Sequence, residues 1–348
     1  MRSFASVAAA ACSAFLLTAC GAATPPAAPA TQVERARLAM GSELRLTAWT
    51  SDEPAALAAF DEIFADFDRL EGLLSIWRDG SDVQRLNAAA GLHPVPVSAE
   101  TIDVLSVARQ VGDWTDGKFD ITFAALSDLW KFDQDQDDSV PSRADIDRRL
   151  PLIDYRQVEF DAGARTAFVK KAGMRVHFGG IGKGYAVDRA VAALRGRGLR
   201  DFVVQAGGDL YVGGRHGDRP WRLGIQDPRG PGGSSFASVE LSDATFSTSG
   251  DYERFFIKDG RRYHHIIDPD RGEPASGCRS VTIVSDRAVL ADALSTGVFV
   301  LGPAKGMALI ERLPQVEGVI VTAENDVLVS SGLKDTVRII STPTDKRP

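Results

Sequence analysis

Residues 175–209 decide the reading of the fold: Arg175-Val176-His177-Phe178, then Gly179-Gly180-Ile181-Gly182-Lys183-Gly184, then Tyr185-Ala186-Val187-Asp188-Arg189-Ala190-Val191-Ala192-Ala193-Leu194, and later Phe202-Val203-Val204-Gln205-Ala206-Gly207-Gly208-Asp209. The first four residues read as a short strand and the glycines as a turn. Ala186, Val187, Ala190, Val191 and Leu194 then recur at helical spacing on one face. Phe202–Gln205 returns as a strand, so the stretch predicts a βαβ unit. Glycines let backbone approach a ligand closely, amides at a helix start can cradle a phosphate, and Lys183 adds a mobile cation. Standard nucleotide fingerprints do not fit. Counting G-x-G-x-x-G from Gly180 puts Tyr185 at the last glycine, and a Walker A loop would need Gly at His177 and Ser or Thr at Gly184. Taken alone, the turn is either a phosphate site or a tight structural turn.

The flanking sequence predicts a mixed α/β (α+β) fold, one compact catalytic region that can divide into two sub-lobes. Leu44–Trp49 alternates like a half-buried strand. Pro54 opens a helix with Leu57, Phe60, Ile63, Phe64, Phe67 and Leu70 along one side, and Thr101–Val111 repeats the pattern. Lys118-Phe119-Asp120-Ile121-Thr122 follows a turn. Asp133, Asp135, Asp137 and Asp138 suggest a calcium loop, but Asp138 and Ala144 stand where an EF-hand needs Gly and Glu, leaving a solvated acidic loop.

Ser280–Val284 reads as a strand and Ala288–Gly297 as a helix. There Asp292 and Thr296 lie four residues apart, about 40° around the axis, so their oxygens share a face one turn apart. One carboxylate with neutral oxygens suits a hard cation such as Mg²⁺; the competing reading is a helix with one polar stripe. Ala293-Leu-Ser295-Thr-Gly297 also resembles a nucleophile elbow, but no histidine follows Ser295, so the hydrolase order Ser, acid, His cannot be met. His264 and His265 are adjacent, a poor chelating pair in a strand; one of them can act as a general base.

Composition excludes several classes. The 348 residues are 44% hydrophobic and 25% charged, with a formal charge of −7, so the overall basic footprint of a nucleic-acid binder is missing. Three cysteines, Cys12, Cys20 and Cys278, build no disulfide framework. Residues 1–19 read as a signal peptide with an apolar run from Phe4 to Leu17. Leu17-Thr18-Ala19-Cys20 resembles a bacterial lipobox, which makes Cys20 the lipidated residue, and residues 20–36 read as a tether. The catalytic domain is expected at 37–340 and a tail at 341–348.

Together the motifs resemble the ApbE-like FAD:protein FMN transferases. The markers occur in family order: Met40-Gly41-Ser42, Ser75-Ile76-Trp77-Arg78, Lys118–Thr122, Gly179–Asp188, Ala206-Gly207-Gly208-Asp209-Leu210, His265-Ile266-Ile267-Asp268-Pro269 and Ala291–Thr296. The resemblance implies transfer of FMN from FAD to a threonine or serine hydroxyl of a partner protein, with release of AMP. It implies Mg²⁺, or Mn²⁺, held by Asp292, Thr296 and the Gly180 carbonyl. It further implies His265 as the base, and Met40, Trp77, Lys118, Phe119, Asp120, His177, Lys183 and Ile267 as flavin nucleotide contacts. Two positions depart from the family pattern: His177 stands where Asp is usual, and Gly182 replaces Ala. The alternatives are an FAD pyrophosphatase giving FMN and AMP, and a non-catalytic flavin-binding lipoprotein. The expected setting is an exported protein anchored by lipid, on the inner membrane facing the periplasm or on the outer membrane, acting on a membrane redox subunit.

Overall fold

Asp52 opens the first helix: its carboxylate accepts from the Ala55 N–H at 3.0 Å, and Pro54 pre-sets the first turn. That helix, α1 (Glu53–Leu74), buries Phe60, Ile63, Phe64, Phe67 and Leu70, the stripe its spacing predicts. The computed structural model describes residues 29–132 and 136–346. Among them are six further helices: α2 (Asp82–Ala88), α3 (Ala99–Trp114), α4 (Arg143–Arg149), α5 (Gly182–Gly196), α6 (Ala288–Leu301) and α7 (Pro303–Arg312).

The main sheet has eight strands: β1 (Thr31–Ala39), β2 (Ser42–Thr50), β3 (Phe202–Ala206), β4 (Asp209–Gly213), β5 (Ala244–Gly250), β6 (Cys278–Ser285), β7 (Glu317–Thr322) and β8 (Val327–Val329). Chain order is also spatial order, and every neighbour pair is antiparallel. Side-chain alternation splits the two faces. Val281, Ile283 and Ile320 face the larger core with α1, α3, α5 and α6, whereas Phe246, Val284, Val319 and Val321 face a second core. That second core is closed by a three-stranded sheet of residues Trp221–Gln226, Ser235–Leu241 and Val337–Ile339.

The predicted βαβ unit does not form. β3 pairs antiparallel with β2 and β4, and residues 174–178 belong to no strand. Their backbone is satisfied instead by a side chain: Asn87 Oδ1 accepts from the Val176 N–H (2.7 Å), and Asn87 Nδ2 donates to the Val176 carbonyl (3.1 Å). The domain bounds also move. Residues 31–36, expected as tether, pair with β2 and bury Val33. The expected tail is strapped down: the Thr344 N–H and hydroxyl donate to Asp227, and buried Arg279 bonds the Thr344 carbonyl and Asp345. Residues 1–19 and Cys20 lie outside the described residues, as does 133–135 of the acidic loop.

One cap comes from a distant helix. α6 has no side-chain cap of its own; Asp188 of α5 accepts from the Ala288 (2.7 Å) and Val289 (3.0 Å) N–H groups at its start. Asp188→Ala is expected to cost about 1–2 kcal/mol in urea denaturation, the range for a lost cap.

Candidate active site

Helix α5 begins at the glycine turn and packs against α6, which fixes the site. Asp292 of α6 is 4% exposed, and its Oδ2 accepts the Gly184 N–H at 2.9 Å. One turn later, Thr296 Oγ1 lies 3.4 Å from where a side-chain carbon on Gly180 would stand. Asp292 and Thr296 therefore do share a face, and that face meets the Gly180 turn. Lys183, in the first turn of α5, forms an ion pair with buried Asp209 at the start of β4.

Strand β5 supplies hydroxyls to the same hollow. Ser247 Oγ donates to Asp209 Oδ1 (2.7 Å), and Ser249 Oγ lies 3.1 Å from Thr296 Oγ1 and 2.8 Å from Ser295 Oγ. Ser295 Oγ also donates to the Asp292 carbonyl within the helix, so the nucleophile elbow is absent. Ser247 and Ser249 escaped the sequence reading, and Asp209, quoted in a family marker, was given no role at the site. The usable signal was Ser247-Thr-Ser249, two hydroxyls on one strand face opposite the Asp209 turn.

Electrostatics sharpen the picture. Burial pushes the Asp292 carboxyl above the ordinary carboxylate range, Asp209 adds to this, and Lys183 and the Gly184 N–H oppose it. Burial also works against the Lys183 charge, but Asp209 and Asp292 outweigh it and hold its pKa above the usual lysine value. A buried carboxylate under this pressure gains from a cation. Among the described residues no group of three or more His, Cys, Asp or Glu forms a metal cluster. Any ion here would meet one carboxylate and neutral oxygens, a donor set that suits Mg²⁺ rather than a thiolate- or imidazole-loving metal.

The other expected residues divide. Met40, at φ 49° in the β1–β2 turn, brings its Cε within 3.8 Å of a side-chain position on Gly182. Phe119 is buried and packs between the Gly180 turn and Gly297 of α6. Lys118 Nζ donates to Asp268 and Asp270, both at 2.7 Å, tying its segment to the turn after His265. His177 packs edge-on to Phe123, with ring centroids 5.7 Å apart, and its imidazole adjoins Gly179. Trp77 stands 69% exposed between α1 and α2.

Two expected contacts are committed elsewhere. Asp120 accepts from the Thr122 N–H and hydroxyl and from the Tyr155 N–H, which leaves it capping a turn. The Ile267 side chain is buried in a satellite core with Leu126, Trp130, Phe132, Ile146 and Phe256.

His265 is half-buried just after the hairpin of residues 255–264. Its N–H donates to the Arg254 carbonyl (3.1 Å), and its Nδ1 lies 3.3 Å from the same oxygen. Burial, with Arg254 and His264 nearby, pushes its pKa down to about 3. His265 is therefore neutral at pH 7 and a weak base in the resting protein. Because the folded value is depressed, its contribution to stability is complete above the unfolded value of about 6.5 and is lost as the pH falls towards 3. In a proton NMR titration the His265 ring signals should keep their neutral positions down to about pH 4, where an exposed histidine would already have shifted.

Known proteins resemble this chain over most of its length. The ApbE family model matches residues 40–320. A curated FAD:protein FMN transferase of Treponema pallidum is 36% identical over 326 residues, covering 89% of this chain and 90% of that protein. One from Klebsiella pneumoniae is 32% identical, covering 84% and 90%. The crystal structure of the ApbE protein from Thermotoga maritima superposes with a TM-score of 0.81 at 34% identity, covering 88% of this chain and 100% of that one. The flavin transferase ApbE from Vibrio cholerae gives 0.78 at 26% identity, with 88% and 100% covered. With the family model spanning residues 40–320 and relatives 32–36% identical over most of both chains, the chain belongs to the ApbE family.

Proposed function

We propose that this protein transfers the FMN half of FAD to a threonine or serine hydroxyl of an acceptor protein and releases AMP. The observation that carries the reading is the meeting of Asp292 and Thr296 with the Gly180 turn, beside the Lys183–Asp209 pair. Oxygen donors for a cation and a fixed lysine are what a pyrophosphate needs.

In the reaction the acceptor oxygen bonds the FMN phosphorus as the phosphorus–oxygen bond to AMP breaks. The attacking hydroxyl would lose its proton to His265, a weak base in the resting protein whose basicity the negative charge of an incoming pyrophosphate would raise. Lys183, held by Asp209, faces the charge that develops on the phosphate oxygens. Asp292, Thr296 and the Gly180 carbonyl would hold Mg²⁺ or Mn²⁺. Such an ion supplies charge neutralisation on the pyrophosphate when bound. Met40, half-buried beside the turn, would pack against the nucleotide, while buried Phe119 backs the turn from inside.

The anchoring reading belongs here too. Residues 1–19 as signal peptide and Cys20 as lipidated residue place the enzyme outside the cytoplasm on a membrane, where a redox subunit would serve as acceptor. Among the described residues no helix is long and apolar enough to cross a membrane.

The test is direct. The protein is incubated with FAD and Mg²⁺, with and without a redox subunit that presents a threonine. Flavin fluorescence on the acceptor band of a denaturing gel, with one AMP released per label, supports transfer. Free FMN formed at the same rate with or without acceptor would instead mark a pyrophosphatase.

A further inference from the structure

Strands β1–β4 and helix α5 run between two ends of the domain. The catalytic end holds Met40-Gly41, Gly207-Gly208 and the start of α5. The other end gathers the start of β1, the end of β2, the end of β4 and the last turn of α5. At this far end three half-exposed rings cluster. Trp49 meets His216 edge-on with centroids 5.1 Å apart, and His216 meets Trp221 at 4.9 Å. The Trp221 indole N–H donates to the Gly213 carbonyl at 2.8 Å, which fixes the ring at the surface.

Exposed cations surround the rings. Arg200, Arg215 and Arg219 are all exposed, and Arg215 bonds the Asp218 carbonyl. The acids here are Asp52, which caps α1, Asp201, which accepts the Arg215 N–H at 2.8 Å, and exposed Asp218 between Arg215 and Arg219. Tryptophan is the side chain that settles at a lipid–water boundary, apolar body inward and N–H bonded, and arginine favours anionic headgroups.

The register says how the chain arrives. Thr31 pairs with Thr50 and Gln32 with Trp49, so the segment leading from Cys20 enters the domain beside the Trp49 ring. Eleven residues of chain span at most about 40 Å, so a lipid on Cys20 keeps this end within reach of the bilayer.

We infer that the Trp49–His216–Trp221 end is a membrane-contact face, seated on an anionic lipid surface, an inference that rests on the reading of Cys20 as lipidated. The catalytic end then stands off the bilayer by roughly the length of β2, about 27 Å at 3.4 Å per residue. The acceptor hydroxyl is met at that height.

The mature lipoprotein is tested in vesicles of phosphatidylethanolamine and phosphatidylglycerol with brominated or ordinary acyl chains. Brominated lipid should quench the tryptophan fluorescence, the W49F/W221F double variant should lose most of that quenching, and W77F, at the exposed ring between α1 and α2, should keep it. Protein held on the vesicles but unquenched, or quenching that survives W49F/W221F, overturns the face. FAD turnover of the double variant in detergent checks its fold. The anchor is read separately: a mass showing unmodified Cys20, with wild-type protein left in the supernatant like Cys20→Ser, overturns the lipid reading and the face with it.

Discussion

Asp292→Asn is expected to lower FAD turnover by about 10³-fold while leaving the melting temperature unchanged or slightly raised. The asparagine oxygen can still accept the Gly184 N–H that Asp292 accepts at 2.9 Å, so the α5–α6 contact survives. What disappears is the buried negative charge, which burial and Asp209 disfavour in the resting protein. Removing an unwelcome charge does not weaken the fold; removing the anionic donor from the site weakens every cation bound there. Calorimetry with Mg²⁺ and an AMP-release assay check the two halves. Turnover within tenfold of wild type would mean that the Asp292–Thr296 face is only a polar stripe after all.

The second large effect is structural. Gly184→Ala should destabilise the protein by about 3 kcal/mol or leave it insoluble. A side-chain carbon on Gly184 would lie 2.7 Å from Asp292 Cβ and from the Ala288 carbonyl carbon, and closer still to that carbonyl's oxygen. No flexible side-chain tip is available to move. The obstacles are helix backbone, and α5 must be pushed off α6 together with the N–H that holds Asp292. Gly196, in the last turn of the same helix, has no atom within 4 Å of the corresponding point. Gly196→Ala is therefore expected to stabilise by about 0.5–1 kcal/mol through helix propensity. Urea midpoints of the two variants should move in opposite directions; a shared direction would contradict the packing argument.

The contrast shows what could be read from the residues. Helices α1, α3 and α5 were legible because each keeps an apolar stripe at a helical period, and β2 because it alternates. Asp292 and Thr296 were legible because helical geometry alone puts them on one face. The strand expected at 175–178 failed for a long-range reason: its apolar residues are buried, but its backbone is paired by the Asn87 side chain and not by a neighbouring strand. Residues 31–36 are polar enough to pass for linker, and only the β2 edge they pair with makes them a strand. Asp120 offers the same carboxylate to a turn as to a ligand, and composition cannot distinguish the two. Asp188 lies within the glycine-turn motif, yet its task is to cap a helix a hundred residues away, a contact set by how α5 and α6 cross.

The strap formed by Thr344 and Asp345 sets the timing of assembly. Strand Val337–Ile339 closes the smaller sheet, and buried Arg279 pairs with the Asp345 carboxylate. Until Val337–Ile339 and Asp345 have been made and released from the ribosome, the second core stays open. A stop codon near residue 336 would therefore release a chain whose glycine turn and Asp292 are intact but whose apolar flank is bare, a substrate for quality-control proteases before it is an enzyme.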